Sequence, residues 1–200
     1  MNKWVLSFSL ALVFSGSIAQ AADVEAGKVK SAACAACHSA DGNSVNPVWP
    51  SLAGQNASYI SKQLADFKSG ARKNAIMMGM SAALTQEDMN DLGAYYASQT
   101  IKGGEAAADK VTMGEMLYRA GNAEKGLIAC TACHGPMGGG IATSGFPAVS
   151  GQHAVYVEQQ LNDFASGTRA NDPNRMMRDI AEKLSADEIA AVAQYMQGLK

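Results

Sequence analysis

The chain has no excess of positive charge: sixteen lysines and arginines stand against eighteen aspartates and glutamates, a formal net charge of −2. A surface that tracks a nucleic-acid backbone needs a basic stripe, so nucleic acid is excluded as a partner. Beyond its first twenty residues the chain lacks any apolar run near the roughly 20 residues that cross a bilayer, which leaves at most peripheral membrane contact. Aromatic residues make up only 6% of the 200. A small domain with so few large side chains struggles to bury enough apolar surface and needs something else at its centre. No segment alternates as a strand does, so an all-α fold is expected.

The N-terminal stretch carries Lys3, an apolar run from Trp4 to Phe14, and the small-residue site Ala19-Gln20-Ala21. These are the three parts of a secretory signal peptide, expected over residues 1–21 and removed on export. A retained anchor would need a longer apolar stretch.

In an oxidising compartment, four cysteines could form two disulfides. Their spacing points elsewhere. They form two pairs, each followed at once by histidine, as Cys34-Ala35-Ala36-Cys37-His38 and Cys130-Thr131-Ala132-Cys133-His134, and these take two of the three histidines. Residues i and i+3 of a helix share a face, so two thiols can reach the two vinyl edges of one porphyrin while the next residue offers its imidazole to the iron. The pattern predicts two covalently bound haem c groups. A zinc site wants its arms about 15–20 residues apart, whereas 92 residues separate Cys37 from Cys130. A thioredoxin-like pair wants a βαβ setting, and disulfides within each pair would leave the histidines unexplained.

The chain is an internal repeat. Trp49-Pro50-Ser51-Leu52-Ala53-Gly54-Gln55 returns as Phe146-Pro147-Ala148-Val149-Ser150-Gly151-Gln152, an offset of 97, and Tyr59, Gln63, Leu64, Asp66, Phe67, Gly70 and Arg72 recur in the same register. After a three-residue insertion, Leu84 and Tyr95 map on Leu184 and Tyr195. So long a period reads as a duplicated domain. Residues 22–100 and 112–200 are the expected domains, with a Gly- and Ala-rich linker over 101–111.

In each domain one segment places its apolar residues on one helical face: Tyr59, Ile60, Leu64 and Phe67, then Tyr156, Val157, Leu161 and Phe164. Thr85 to Asp88 and Ser185 to Glu188 fit capping boxes that open the last helix of each half.

The sixth iron position separates carrying electrons from binding ligands, because a methionine thioether closes the iron and raises its potential. Between the amphipathic and the last helix lie Met77-Met78-Gly79-Met80 and Met176-Met177-Arg178-Asp179-Ile180. Only Met77 and Met177 are methionine in both halves of the register. Met78, Met80 and Met176 are neighbours able to substitute.

The paired haem motifs, the repeated Trp49–Gln55 segment, and the run from Asn171-Asp172 to Met177-Arg178 resemble the di-haem cytochrome c4 family over essentially the whole mature chain. The resemblance implies two class I cytochrome c domains related by a pseudo-twofold axis. It implies His38 and His134 as proximal ligands, Met77 and Met177 as distal ligands, and Cys34, Cys37, Cys130 and Cys133 as thioether sites. It also assigns the Pro50 and Pro147 carbonyls to the proximal histidines. The implied role is periplasmic electron transfer without catalysis, from a quinol-oxidising complex or other donor towards a terminal oxidase. Two other readings fit the same ligands: the haem subunit of a flavoprotein dehydrogenase, and a haem peroxidase or gas sensor. Arg72 and Arg169 are either partners of haem propionates or solvated surface residues. His153, whose repeat partner is Asn56, is expected at the surface or between the domains.

Overall fold

A computed structural model describes residues 21–199, so the expected signal peptide lies outside the described residues except for Ala21. The first half consists of α1 (Val24–Lys30), α2 (Ala35–His38), α3 (Ala57–Ser69), α4 (Ala75–Ser81) and α5 (Gln86–Ala97). The second repeats the order with α6 (Ala108–Ala120), α7 (Thr131–His134), α8 (Ala154–Ala165), α9 (Met176–Ala181) and α10 (Ala186–Gly198). Among the described residues β-structure is limited to two isolated bridges, Asn122 with Leu127 and Ile141 with Phe146. No helix of the described residues is long and apolar enough to cross a membrane.

Local chemistry sets the helix ends. The Asp23 carboxylate accepts the Glu25 and Ala26 N–H groups to start α1. Thr85 with Asp88, and Ser185 with Glu188, form the reciprocal capping boxes of α5 and α10. Each cap satisfies backbone donors that the helix cannot. Gly70, left-handed at φ 80°, ends α3. The helix α6 starts at Ala108, inside the segment expected as linker, and Val111 packs on the second core. Ala, Asp and Lys propagate a helix without apolar periodicity, which is why the pattern missed this turn.

Each core is a helix sandwich. Ile60 and Leu64 of α3 meet Met89, Leu92, Tyr95 and Tyr96 of α5, all buried. Val157, Leu161 and Phe164 of α8 likewise meet Ile189, Val192 and Met196 of α10. Each such side chain contributes on the order of 1.5–3 kcal/mol by leaving water. The first and last helices of each half cross so closely that a Cβ at Gly27 would lie 2.0 Å from the Asp91 carbonyl oxygen, and one at Gly114 2.2 Å from that of Ala191. Only glycine permits either crossing.

The two domains meet through reciprocal contacts. The Gln152 side-chain amide accepts from the Ser51 N–H and donates to the Ser51 carbonyl, both at 2.9 Å. Gln55 does the same with Ala148, at 2.8 and 2.9 Å. Ser51 and Ala148 are repeat partners, as are the two glutamines, so the surface is self-complementary, the signature of a twofold relation. His153 Nε2 lies 2.7 Å from the Ser44 carbonyl, which places this histidine between the domains.

Candidate haem sites and the interface between them

The haem motifs fold as single turns. The Cys34 carbonyl accepts from Cys37 and His38 N–H, and the Cys130 carbonyl from Cys133 and His134 N–H. One turn thus gathers two thiols and an imidazole in each half. Both imidazoles are buried, and each Nδ1 sits 2.9 Å from a carbonyl, His38 from Pro50 and His134 from Pro147. A carbonyl can only accept, so Nδ1 carries the proton and Nε2 keeps a lone pair for a metal. Burial lowers both imidazoles below their ordinary value, against the weaker pull of the proline carbonyls, and favours the neutral form that ligates.

Burial raises the Cys34 thiol and pushes Cys130 up to about 11. Both are protonated at neutral pH, unlike the thiolate of a disulfide-exchange pair. Met77 packs on the same core cluster as Cys34, and Met177 on the same cluster as Cys130. Their neighbours turn outward, with Met78 39%, Met80 40% and Met176 38% exposed. The structure therefore brings Met77 and Met177, rather than the alternatives, towards the haem-motif cysteines.

The segments that carry these methionines are built differently. In the first half the Asn74 side-chain oxygen accepts the Met77 N–H at 3.0 Å and caps α4. In the second half the inserted residues reach Met177 through Asn174 and Arg175, at φ 52° and 60°. Left-handed non-glycine residues cost on the order of 1 kcal/mol or more each. The Asp172 carboxylate, buried at 3% exposure, spans this turn.

A tyrosine lies beside the first cysteine in each half, supplied by different helices. Tyr118 comes from α6 and donates to the Gly135 carbonyl at 2.7 Å. In the first half Tyr95 of α5 donates to Ala40 at 2.7 Å, while the buried Tyr96 hydroxyl, next to Cys34, has no protein partner among the described residues. The residues of both sites fit haem c. Each offers an imidazole Nε2 of fixed tautomer, a pair of thiols one turn apart and an inward thioether.

Arg72 and Arg169 reach across the interface. Arg72 donates to Gln63 of its own half and to Tyr156 and Gln160 of the other, at 3.0, 2.9 and 2.7 Å. Arg169 donates to Gln160 and Asn171 of its own half and to Tyr59 and Gln63 of the other, at 2.8, 3.0, 2.9 and 3.1 Å. Each guanidinium also stacks on a phenylalanine of its own half, Phe67 or Phe164. Two cations share the Gln63 and Gln160 oxygens, and every acceptor they reach is an amide or phenol oxygen rather than a carboxylate. Burial alone would raise the Tyr59 phenol, yet the charges of Arg169 and Arg72 hold it below its ordinary value. Sequence reasoning singled out the arginines but assigned no role to Gln55, Gln152, Gln63 or Gln160. Their signal was a polar residue recurring in register beside an apolar helical face.

Two helical domains, each with a one-turn Cys-x-x-Cys-His motif, a carbonyl-oriented histidine and an inward methionine, define a di-haem c-type cytochrome. The cytochrome c family profile matches residues 24–100 and 112–200. The chain is 48% identical to cytochrome c4 of Pseudomonas aeruginosa, over 100% of both chains. It superposes on the crystal structure of reduced recombinant cytochrome c4 from Pseudomonas stutzeri with a TM-score of 0.88 and 44% identity, covering 90% of this chain and 100% of that one. It is also 42% identical to the thiosulfate dehydrogenase electron acceptor of Stutzerimonas stutzeri, over 96% of this chain and 93% of that one. The chain belongs to the cytochrome c family, on its di-haem cytochrome c4 branch, and carries two covalently bound haem c groups that transfer electrons to and from redox partners.

Proposed function

We propose that this is a periplasmic di-haem electron carrier with both irons closed, His38 and Met77 holding one and His134 and Met177 the other. Cys34, Cys37, Cys130 and Cys133 anchor the cofactors, residues 1–21 direct export, and residues 22–100 and 112–200 form the domains on either side of a 101–111 linker. The observation that carries this reading is the inward packing of Met77 and Met177 on the clusters that hold Cys34 and Cys130. Bound haem supplies a one-electron ferric–ferrous couple. The chain sets its working conditions: Pro50 and Pro147 fix the histidine tautomers, the methionines exclude exogenous ligands, and the apolar cores exclude water. No acid, base or nucleophile is required, so the chain carries electrons without catalysing a further reaction. Around Met77, the exposed Ile76, Met78 and Met80 offer a redox partner an apolar contact surface.

The route proposed is from a quinol-oxidising complex or other donor to a terminal oxidase. Reduced holoprotein mixed with membranes of its host is expected to be reoxidised in air, and cyanide to block that reoxidation. Similarity to a thiosulfate dehydrogenase electron acceptor supports a second reading, in which a dehydrogenase is the electron donor and the chain its haem-bearing partner. Absence of cyanide-sensitive reoxidation, together with reduction by such a dehydrogenase and its substrate, would favour that second reading.

A further inference from the structure

We infer that Asp172 is a positioning residue that clasps Met177, so that the sixth iron position of the second half is held more firmly than that of the first. This inference rests on the His/Met ligation proposed above.

One carboxylate makes three contacts around the ligand. Asp172 Oδ2 accepts the N–H groups of Met177 and Arg178 at 3.0 and 3.1 Å, and Oδ1 accepts from Arg178 Nε at 2.8 Å. Hydrogen bonds to a carboxylate are shorter and stronger than those to a neutral amide oxygen, and Arg178 neutralises the charge so that it can stay buried. The same clasp holds the left-handed Asn174 and Arg175 in place, with Arg175 tethered to Asp179 and Glu182 at 3.1 and 2.8 Å. Strained backbone beside a functional residue persists only when its surroundings over-determine it.

The first half has no counterpart. Its methionine segment is held by neutral bonds alone: Asn74 Oδ1, at an exposed residue, accepts the Met77 N–H, and the buried Ser81 hydroxyl donates to the Met77 carbonyl at 2.8 Å. The residue in register with Arg178 is Met78, which has nothing to donate. The shorter segment has no left-handed residues to restrain, and none of the charged side chains that clasp Met177. The two halves therefore share ligands and differ in how tightly the sixth one is held.

Imidazole competes with methionine for ferric haem, and a weak far-red absorption band reports iron–thioether bonding. Titration of the ferric holoprotein with imidazole is expected to remove this band in two steps, the first half giving way first. Asp172→Ala should move the second step to about tenfold lower imidazole, as the loss of charge-assisted hydrogen bonds implies. Asp172→Asn keeps an acceptor oxygen and should move it by only about threefold, and Asn74→Ala should move the first step alone. A single step in the unaltered protein, or an Asp172→Ala titration that superimposes on it, would overturn the inference. Should Asp172→Ala fail to take up haem, Asp172→Asn and Arg178→Gln carry the test, and no shift in either is equally fatal. Met177→Ala separates the two levels of the argument. If the band keeps full strength in that variant, the ligand assignment fails. If it falls by half while the Asp172 variants titrate normally, only the clasp fails.

Discussion

Denied haem, the mature chain is expected to lose most of its helical circular dichroism. Its helices run to at most 13 residues, too short to persist alone in water. The apolar cluster of the first half contains only six buried residues, two of them tyrosines whose hydroxyls need partners. The buried His38 and His134 and the inward Met77 and Met177 belong to the haem sites proposed above, so without the cofactor they lose the partner that their burial requires. A porphyrin adds an apolar body far larger than any side chain present, and its covalent links fix it to one turn of each half. Cytoplasmic expression without the c-type maturation machinery supplies the comparison. A far-UV spectrum well under half the amplitude of the holoprotein is the expected result, and a native-like spectrum would show that the cores fold unaided.

The second large effect belongs to the interface. Replacing Arg72 and Arg169 together with glutamine is expected to lower both reduction potentials, each on the order of tens of millivolts, the scale of a unit charge removed from a low-dielectric interior. The sign follows because a cation disfavours the ferric state, and its removal relieves that penalty. Both potentials move because neither arginine belongs to one domain: the two guanidiniums share Gln63 and Gln160 and each bonds the other half's tyrosine. Even Arg169→Gln alone should shift both couples. The same substitutions remove charged hydrogen bonds that stitch the domains together, each worth about 1.5–3 kcal/mol. Spectroelectrochemistry that resolves the two steps would show a paired shift. In Arg169→Gln, movement of one potential alone would mean that this arginine serves only its own haem.

What the sequence disclosed and what it hid divide along a physical line. The capping boxes at Thr85 and Ser185, the apolar faces of α3 and α8 and the haem-motif turns depend on residues within four positions of one another, so spacing reveals them. The repeat added tertiary information, because two independent copies must satisfy the same contacts. That is how Met77 and Met177 were separated from their neighbours, which the structure turns outward. The interface was illegible because its chemistry joins residues roughly 100 positions apart. A glutamine amide that mimics a β-bridge, as Gln55 and Gln152 do, carries no local signature. Arg72 and Arg169 were conspicuous in register, yet only the fold shows that each reaches into the other domain. The first turn of α6 was hidden for the opposite reason: it forms on local propensity and shows no apolar stripe.

The central claim, two irons each closed by a methionine, is tested most directly by the visible spectrum of the reduced holoprotein before and after carbon monoxide is added. Superimposable spectra are predicted if protein thioethers take both sixth positions. A change amounting to one haem would contradict the claim, marking an open iron and turning the protein from a carrier towards ligand binding or catalysis.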